Sequence, residues 1–244
     1  VDPGLEHTGP SFLGNDYTYV NTMQPTALWF HDHALGMTRI NIYSGLAGFY
    51  LIRGKGDTGG SDKGLGLPAG DRELELLIAD RMFDTNGQLI FPDDSEGIGL
   101  NGTPPNPSVH PYWIPEYFGD VIVVNGMAWP KMTVKPLRYR FRILNGSNAR
   151  FYNLRLVADA QEGKGANGEH RPTKDPVPTF WVIGIDGGLL DEPVETRELL
   201  IAPPERYDLI IDFGAFAGRK LEMTNDANAP FPGGDPVAPT PMVR

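Results

Sequence analysis

Arg138-Tyr139-Arg140-Phe141-Arg142-Ile143, residues 138–143, alternates charged and apolar side chains without a break. An extended strand sends successive side chains to opposite faces, so it alone gathers the three arginines on one side and the three apolar residues on the other. The stretch predicts an antiparallel strand with one face in a core and the other toward solvent. Runs of the same character flank it: residues 72–83, which include Glu73-Leu74-Glu75-Leu76, then 120–124, 132–134, 151–157, 179–185, 198–201, 207–213 and 220–224. From residue 72 onward this makes about eight or nine short strands, the number expected of a Greek-key sandwich. The 30 Gly and 23 Pro are spread along the chain, which suits strands joined by tight turns and disfavours a helical bundle.

Between the runs, Asp84-Thr85-Asn86-Gly87 is a hairpin signal, because Asn and Gly both tolerate positive φ. Residues 92–115 and 158–178 read as loops, and the Pro-rich tail 228–244 as extended chain. Residues 17–53 predict strand, short helix, strand, with aromatic and β-branched stretches at 17–20, 27–33 and 45–52 and helical apolar spacing across 35–43. Residues 54–70 are mostly Gly, Asp, Lys and Ser, the composition of a solvated linker. The expected organisation is therefore 1–53, a linker at 54–69, and a second unit at 70–244.

The net charge of −10, with no basic block to offset it, excludes a partner held by phosphate neutralisation, so nucleic acid is not expected. An acidic surface favours cationic substrates, although solubility alone also accounts for it. There is no cysteine, which removes disulfides and thiolate metal sites from this chain. No apolar run approaches the ~20 residues of a membrane span, no membrane partner is expected, and the first residues lack a signal-peptide pattern.

The chemistry concentrates at Trp29-Phe30-His31-Asp32-His33. Residues two apart on a strand share a face, so both imidazoles leave one side about 6.6 Å apart at ~3.3 Å per residue. That spacing suits two ligands feeding two adjacent metal ions. Imidazoles without thiolate accept copper, zinc, iron or nickel, copper having the highest intrinsic affinity, and a His-X-His triplet alone does not decide among a metal site and structural histidines. Asp32 falls on the opposite face, where it either fixes ligand orientation through a backbone or ring N–H or is simply solvated. His7, His110 and His170 have no second ligand at useful spacing and read as surface histidines. Asp93, Asp94 and Glu96 read as solvated carboxylates. Gly184-Ile185-Asp186-Gly187-Gly188 is a turn, since no Lys-Ser/Thr follows it to make a phosphate loop.

Leu28-Trp29-Phe30-His31-Asp32-His33-Ala34, followed by Thr38-Arg39-Ile40-Asn41 and Tyr43-Ser44-Gly45-Leu46-Ala47-Gly48, resembles the second copper motif of bacterial multicopper oxidases, in particular the spore-coat laccase, bilirubin oxidase and phenoxazinone synthase group. The likeness continues in order through Asp80-Arg81, Val124-Asn125-Gly126, Trp129-Pro130, residues 139–145, Asp186-Gly187-Gly188-Leu189-Leu190 and Glu205-Arg206-Tyr207-Asp208 to Phe213. The resemblance implies an all-β, cupredoxin-like Greek-key sandwich: residues 1–53 as the later part of a first cupredoxin domain, residues 70–244 as a complete second one. It implies that His31 and His33 each ligate one copper of the type 3 pair of a trinuclear cluster, with Asp32 behind them. The family's other His motifs and the Cys of its type 1 site have no match here, so the isolated chain is expected to be inactive. Its partners are then the missing segments of the same oxidase or a second copy of the chain, with dioxygen and a small reducing substrate acting in the whole protein. Extracytoplasmic or spore-associated location follows from the resemblance alone. The competing reading is a cupredoxin-fold binding or structural module without copper; a two-domain oxidase assembled from identical subunits fails for lack of ligands.

Overall fold

A computed structural model describes residues 17–60, 64–92, 113, 116–158, 176–237 and 240–243. His7, His110, His170, Asp93, Asp94 and Glu96, and most of both long loops, lie outside the described residues. The order of elements is β1 (Thr26–His31), α1 (Thr38–Tyr43), β2 (Ala47–Ile52), β3 (Glu73–Arg81), β4 (Val121–Val124), β5 (Met127–Ala128), β6 (Arg138–Asn145), β7 (Tyr152–Ala158), β8 (Phe180–Ile185), β9 (Gly188–Thr196), β10 (Glu198–Ile201), β11 (Arg206–Asp212), β12 (Leu221–Asn225) and β13 (Thr240–Val243).

Two sheets build the sandwich, one ordered β5-β4-β3-β6-β11-β8-β9 and the other β10-β7-β12-β13, while β1 and β2 form a separate two-stranded sheet. Neighbours distant in sequence, such as β3 beside β6 and β6 beside β11, are the crossovers of a Greek key; β3 and β6 run parallel. The inner faces meet in one core. Ile78, Phe141, Ile143, Leu209 and Ile211 of the larger sheet pack against Tyr152, Leu154, Ile201, Met223 and Met242 of the smaller. Burying such side chains is worth roughly 1.5–3 kcal/mol each, and this sets the sandwich apart from the thin β1–β2 hairpin, which a two-stranded sheet cannot stabilise by itself.

The arginine face of β6 is not toward solvent. Arg140 and Arg142 are each 1% exposed, although Tyr139, Phe141 and Ile143 do face the core as the alternation requires. Glu73 of β3 and Asp208 of β11 stand beside them in the strand register. Asp57, from the stretch expected to be a solvated linker, closes the cluster from above and is 2% exposed. Arg140 makes paired hydrogen bonds to Asp57 at 2.8 and 2.9 Å and a further one to Asp208 at 2.8 Å. Arg142 donates to Glu73 at 2.7 Å and to Asp57 at 2.5 Å. Arg53, just past β2, reaches both Asp57 and Glu73. The connector is therefore latched onto the sheet. Arg138, one step along the same face, is different: its pair with Asp212 lies in solvent. Asp212→Asn is accordingly expected to change the unfolding free energy by less than about 1 kcal/mol in a urea titration.

Other departures are local. Residues 17–20 and 132–134 are not strands. At 84–87 only Gly87 takes positive φ, while the Asp84 carboxylate accepts from the N–H groups of Asn86 and Gln88, and a single bridge joins Phe83 to Leu89. The tail, expected to be simply extended, contributes β13 and buries Met242.

Candidate metal centre

The strand β1 brings the triplet to the edge of the molecule. It pairs with β2 over six residue pairs, from Thr26 opposite Ile52 to His31 opposite Ala47. The strand ends at His31 and His33 sits just beyond it, yet both rings stay on one side, with centroids 4.3 Å apart and planes 39° from parallel. The indole of Trp29, two residues earlier on the same face, stacks on His31 at 4.1 Å. Alternation aligns Trp29 with His31, the turn at Asp32 brings His33 beside them, and the three rings lean together to less than the backbone spacing.

His31 Nδ1 lies 2.7 Å from the main-chain carbonyl of Asp32. A carbonyl only accepts, so the proton resides on Nδ1 and the Nε2 lone pair is left free to bind a metal. The Asp32 carboxylate does not touch the ring; its Oδ2 accepts from the Ala34 N–H at 3.0 Å and fixes the turn toward His33. Its Oδ1 is buried and has no hydrogen-bond partner among the described residues. Two imidazoles side by side, one engaged through Nδ1, and an unsatisfied carboxylate oxygen on the residue between them fit part of a copper site. Among the described residues no group of three or more His, Cys or acidic side chains is close enough to complete one.

The next element anchors this hairpin. Tyr43, at the end of α1, is buried edge-on between Trp113 and Tyr117, its hydroxyl donating to the Ile90 carbonyl at 2.8 Å. Arg81 of β3 donates to the Ile42 carbonyl at 3.0 Å and lies over the Tyr43 ring. Burial, as the largest influence, pushes the Tyr43 hydroxyl above its ordinary range, and the Tyr117 hydroxyl much further, so both stay neutral donors. Phe30, which alternation turns away from the rings, lies against Gly48, where a side chain would collide with it, and Phe30, Leu35 and Leu46 are exposed.

Residue types and spacing pointed to His31, His33 and Asp32. They did not point to Trp29, although its place two residues before His31 was a usable signal, nor to the aromatic seat of α1, whose Trp113 comes from the stretch 92–115 that reads as loop and whose Tyr117 lies just past it, before the next strand.

No protein-family model matches the chain. The curated protein Multicopper oxidase LPR1 of Arabidopsis thaliana is 39% identical over 235 residues, which is 96% of this chain and 35% of the relative. The laccase of Bacillus subtilis (strain 168) is 39% identical over 233 residues, 95% of this chain and 39% of the relative. Of solved structures, the McoA multicopper oxidase 2F4 variant from Aquifex aeolicus superposes with a TM-score of 0.68 at 31% identity, over 91% of this chain and 41% of that one. The chain thus spans well under half the length of these proteins, and the likeness extends to plants as well as bacteria.

Proposed function

This chain is homologous over nearly its whole length to the multicopper oxidases, and from that premise we propose that it is part of a copper-dependent oxidase to which it contributes His31 and His33. The two imidazoles would each hold one copper of a type 3 pair, and Asp32 would orient the segment that carries His33. Copper, when bound, supplies the one-electron couple that links oxidation of a phenolic, pigment or metal-ion substrate to reduction of dioxygen to water. The role of this chain is to present the two rings side by side, with His31 held through Nδ1 so that Nε2 is the ring nitrogen left to bind a metal. The remaining ligands would come from further segments of the same oxidase or a second copy of the chain. The edges of the β1–β2 sheet, unpaired among the described residues, and the exposed Phe30, Leu35 and Leu46 support a partner there, since such a sheet completes its hydrogen bonds and its core only with more strands. Residues 1–53 would then belong to one cupredoxin domain and residues 70–244 to the next, with 54–69 between them.

The observation that carries the proposal is the side-by-side presentation of His31 and His33, ring centroids 4.3 Å apart, with the Trp29 indole against His31. Copper(II) titrated into the metal-free chain is expected to quench Trp29 fluorescence, because a metal on His31 sits beside the indole. His31→Ala and His33→Ala should each weaken binding by at least about tenfold, since losing a ligand costs no less than losing one of its supporting partners. Equal copper affinity in the wild type and both variants would overturn the assignment.

A further inference from the structure

The strand bearing His31 is gripped at its start by a turn and an arginine of the sandwich. Asp186 and Gly187 form the turn between β8 and β9, and their carbonyls face the incoming chain: Thr26 Oγ1 donates to Asp186 O at 3.0 Å and Gln24 Nε2 to Gly187 O at 2.5 Å. Gly188 has φ of +121°, a conformation that favours glycine, and a Cβ there would fall 2.7 Å from the Gln24 amide nitrogen, so glycine leaves room for Gln24 in its present position. Arg206, the first residue of β11, completes the grip. Its Nε donates to Ala27 O at 3.1 Å, its Nη1 pairs with Asp186 Oδ1 at 3.1 Å, and its own main-chain N–H donates to that same oxygen at 2.7 Å. Thr26 and Ala27 are among the most deeply buried residues of the hairpin.

We propose that Arg206 and the turn at residues 186–188 form the platform that positions the copper-ligand strand; this rests on reading His31 and His33 as ligands. The β1–β2 sheet has no third strand among the described residues, so its orientation depends on its attachments to the sandwich: this one at the start of β1, the seat of Tyr43, and the Arg53–Glu73 pair just past β2, of which this one alone holds the strand that carries His31. From Ala27 the paired strand runs four residues to His31, about 13 Å at ~3.3 Å per residue, and a small rotation at the grip displaces the imidazoles. Arginine suits the position because its planar fork serves a carbonyl through Nε and a carboxylate through Nη1 at once, which a lysine ammonium on its flexible stem does not reproduce. Arg206 is thus a positioning residue and touches no reacting atom.

The test uses the whole chain and three variants, Arg206→Gln, Arg206→Lys and Thr26→Val, with amide hydrogen exchange in the metal-free state and copper(II) binding followed by Trp29 quenching and electron paramagnetic resonance. Arg206→Gln is expected to accelerate exchange of the β1 amides about tenfold while β6 keeps its protection, to weaken copper about tenfold and to change the copper hyperfine pattern. Arg206→Lys should recover the ion pair but less than half of the copper effect. Thr26→Val, lacking one neutral hydrogen bond, should give a smaller change of about fivefold. Unchanged β1 exchange in Arg206→Gln overturns the platform. Should that variant loosen β6 as well, Thr26→Val decides, and wild-type β1 exchange there overturns the platform equally. Absence of His31-dependent copper binding in the wild type instead refutes the ligand assignment, and the exchange data still judge the platform.

Discussion

Replacing Asp57 by asparagine is expected to remove about 3–5 kcal/mol of folding stability, the cost of leaving buried charge uncompensated when one member of an ion cluster is neutralised. Three carboxylates, Asp57, Glu73 and Asp208, balance three guanidinium groups, Arg53, Arg140 and Arg142, and Arg140 and Arg142 have almost no access to water. A buried cluster of this kind does not outperform a well-packed apolar one, because desolvation offsets most of the attraction. Breaking it is another matter, since the desolvation has been incurred and the attraction is gone. Urea unfolding at neutral pH measures the loss, and a change below about 1 kcal/mol, the size expected at the exposed Asp212, would refute the account.

The same cluster sets the acid limit. Burial alone would raise the Asp57 carboxyl, but hydrogen bonds from Arg140 and Arg142, and then their charges, outweigh it and hold the group far below the usual carboxylate range. In Glu73 burial again opposes, and hydrogen bonds from Arg53 and Arg142 prevail in the same direction. Both folded-state values lie below the unfolded ones, so on acidification the unfolded chain takes up protons first. The stabilisation is whole above the ordinary carboxylate pKa near 4, and is lost as pH falls from there through the folded values. Unfolding free energy should therefore be level between about pH 8 and 5 and fall below about pH 4. In Asp57→Asn the fall should be shallower, and parallel curves for the two proteins would contradict the assignment.

Residues 138–143 show what was legible and what was not. Alternation reveals which side chains share a face, and it correctly set Tyr139, Phe141 and Ile143 in the core. It is silent on what covers the other face, because the covering group, Asp57, is 83 residues from Arg140 in sequence. Composition had marked that connector as something with nothing to bury. A single carboxylate among glycines is nonetheless enough to close a cluster when the flanking backbone is free to bend around it, and Gly54, Gly56, Gly59 and Gly60 supply that freedom. At the candidate centre the reverse holds. His31 and His33 are close in sequence, so their nearness was legible from the triplet, although His33 lies past the end of β1 and the rings come closer than strand spacing gives; their attachment to the sandwich depends on Arg206 and Arg81, which no local pattern links to residues 26–43.

Asp80→Ala is expected to cost a further example of the same magnitude, about 3–5 kcal/mol, and to loosen the hairpin from the sandwich at its other attachment. Asp80 is fully buried, and its Oδ2 accepts from Arg150 Nε at 2.9 Å and from the Gly119 N–H at 2.7 Å. Arg150 returns to the Gly119 carbonyl at 2.8 Å, so one carboxylate and one guanidinium pin both polar groups of Gly119. Nothing larger than glycine fits there, because a Cβ would come within 2.6 Å of the Arg81 backbone. That pinned residue ends the segment carrying Tyr117, on which Tyr43 of α1 rests. Alanine at position 80 leaves the Arg150 charge and the Gly119 N–H without their acceptor in a dry site, and the segment from Tyr117 to Gly119 loses its fixed geometry. Two measurements separate this from a uniform loss of stability: urea unfolding gives the magnitude, and amide exchange at residues 38–43 shows where it falls. If residues 38–43 keep wild-type protection relative to β6 while the global stability drops, Asp80 supports the sandwich only and plays no part in seating the strand and helix that carry the two histidines.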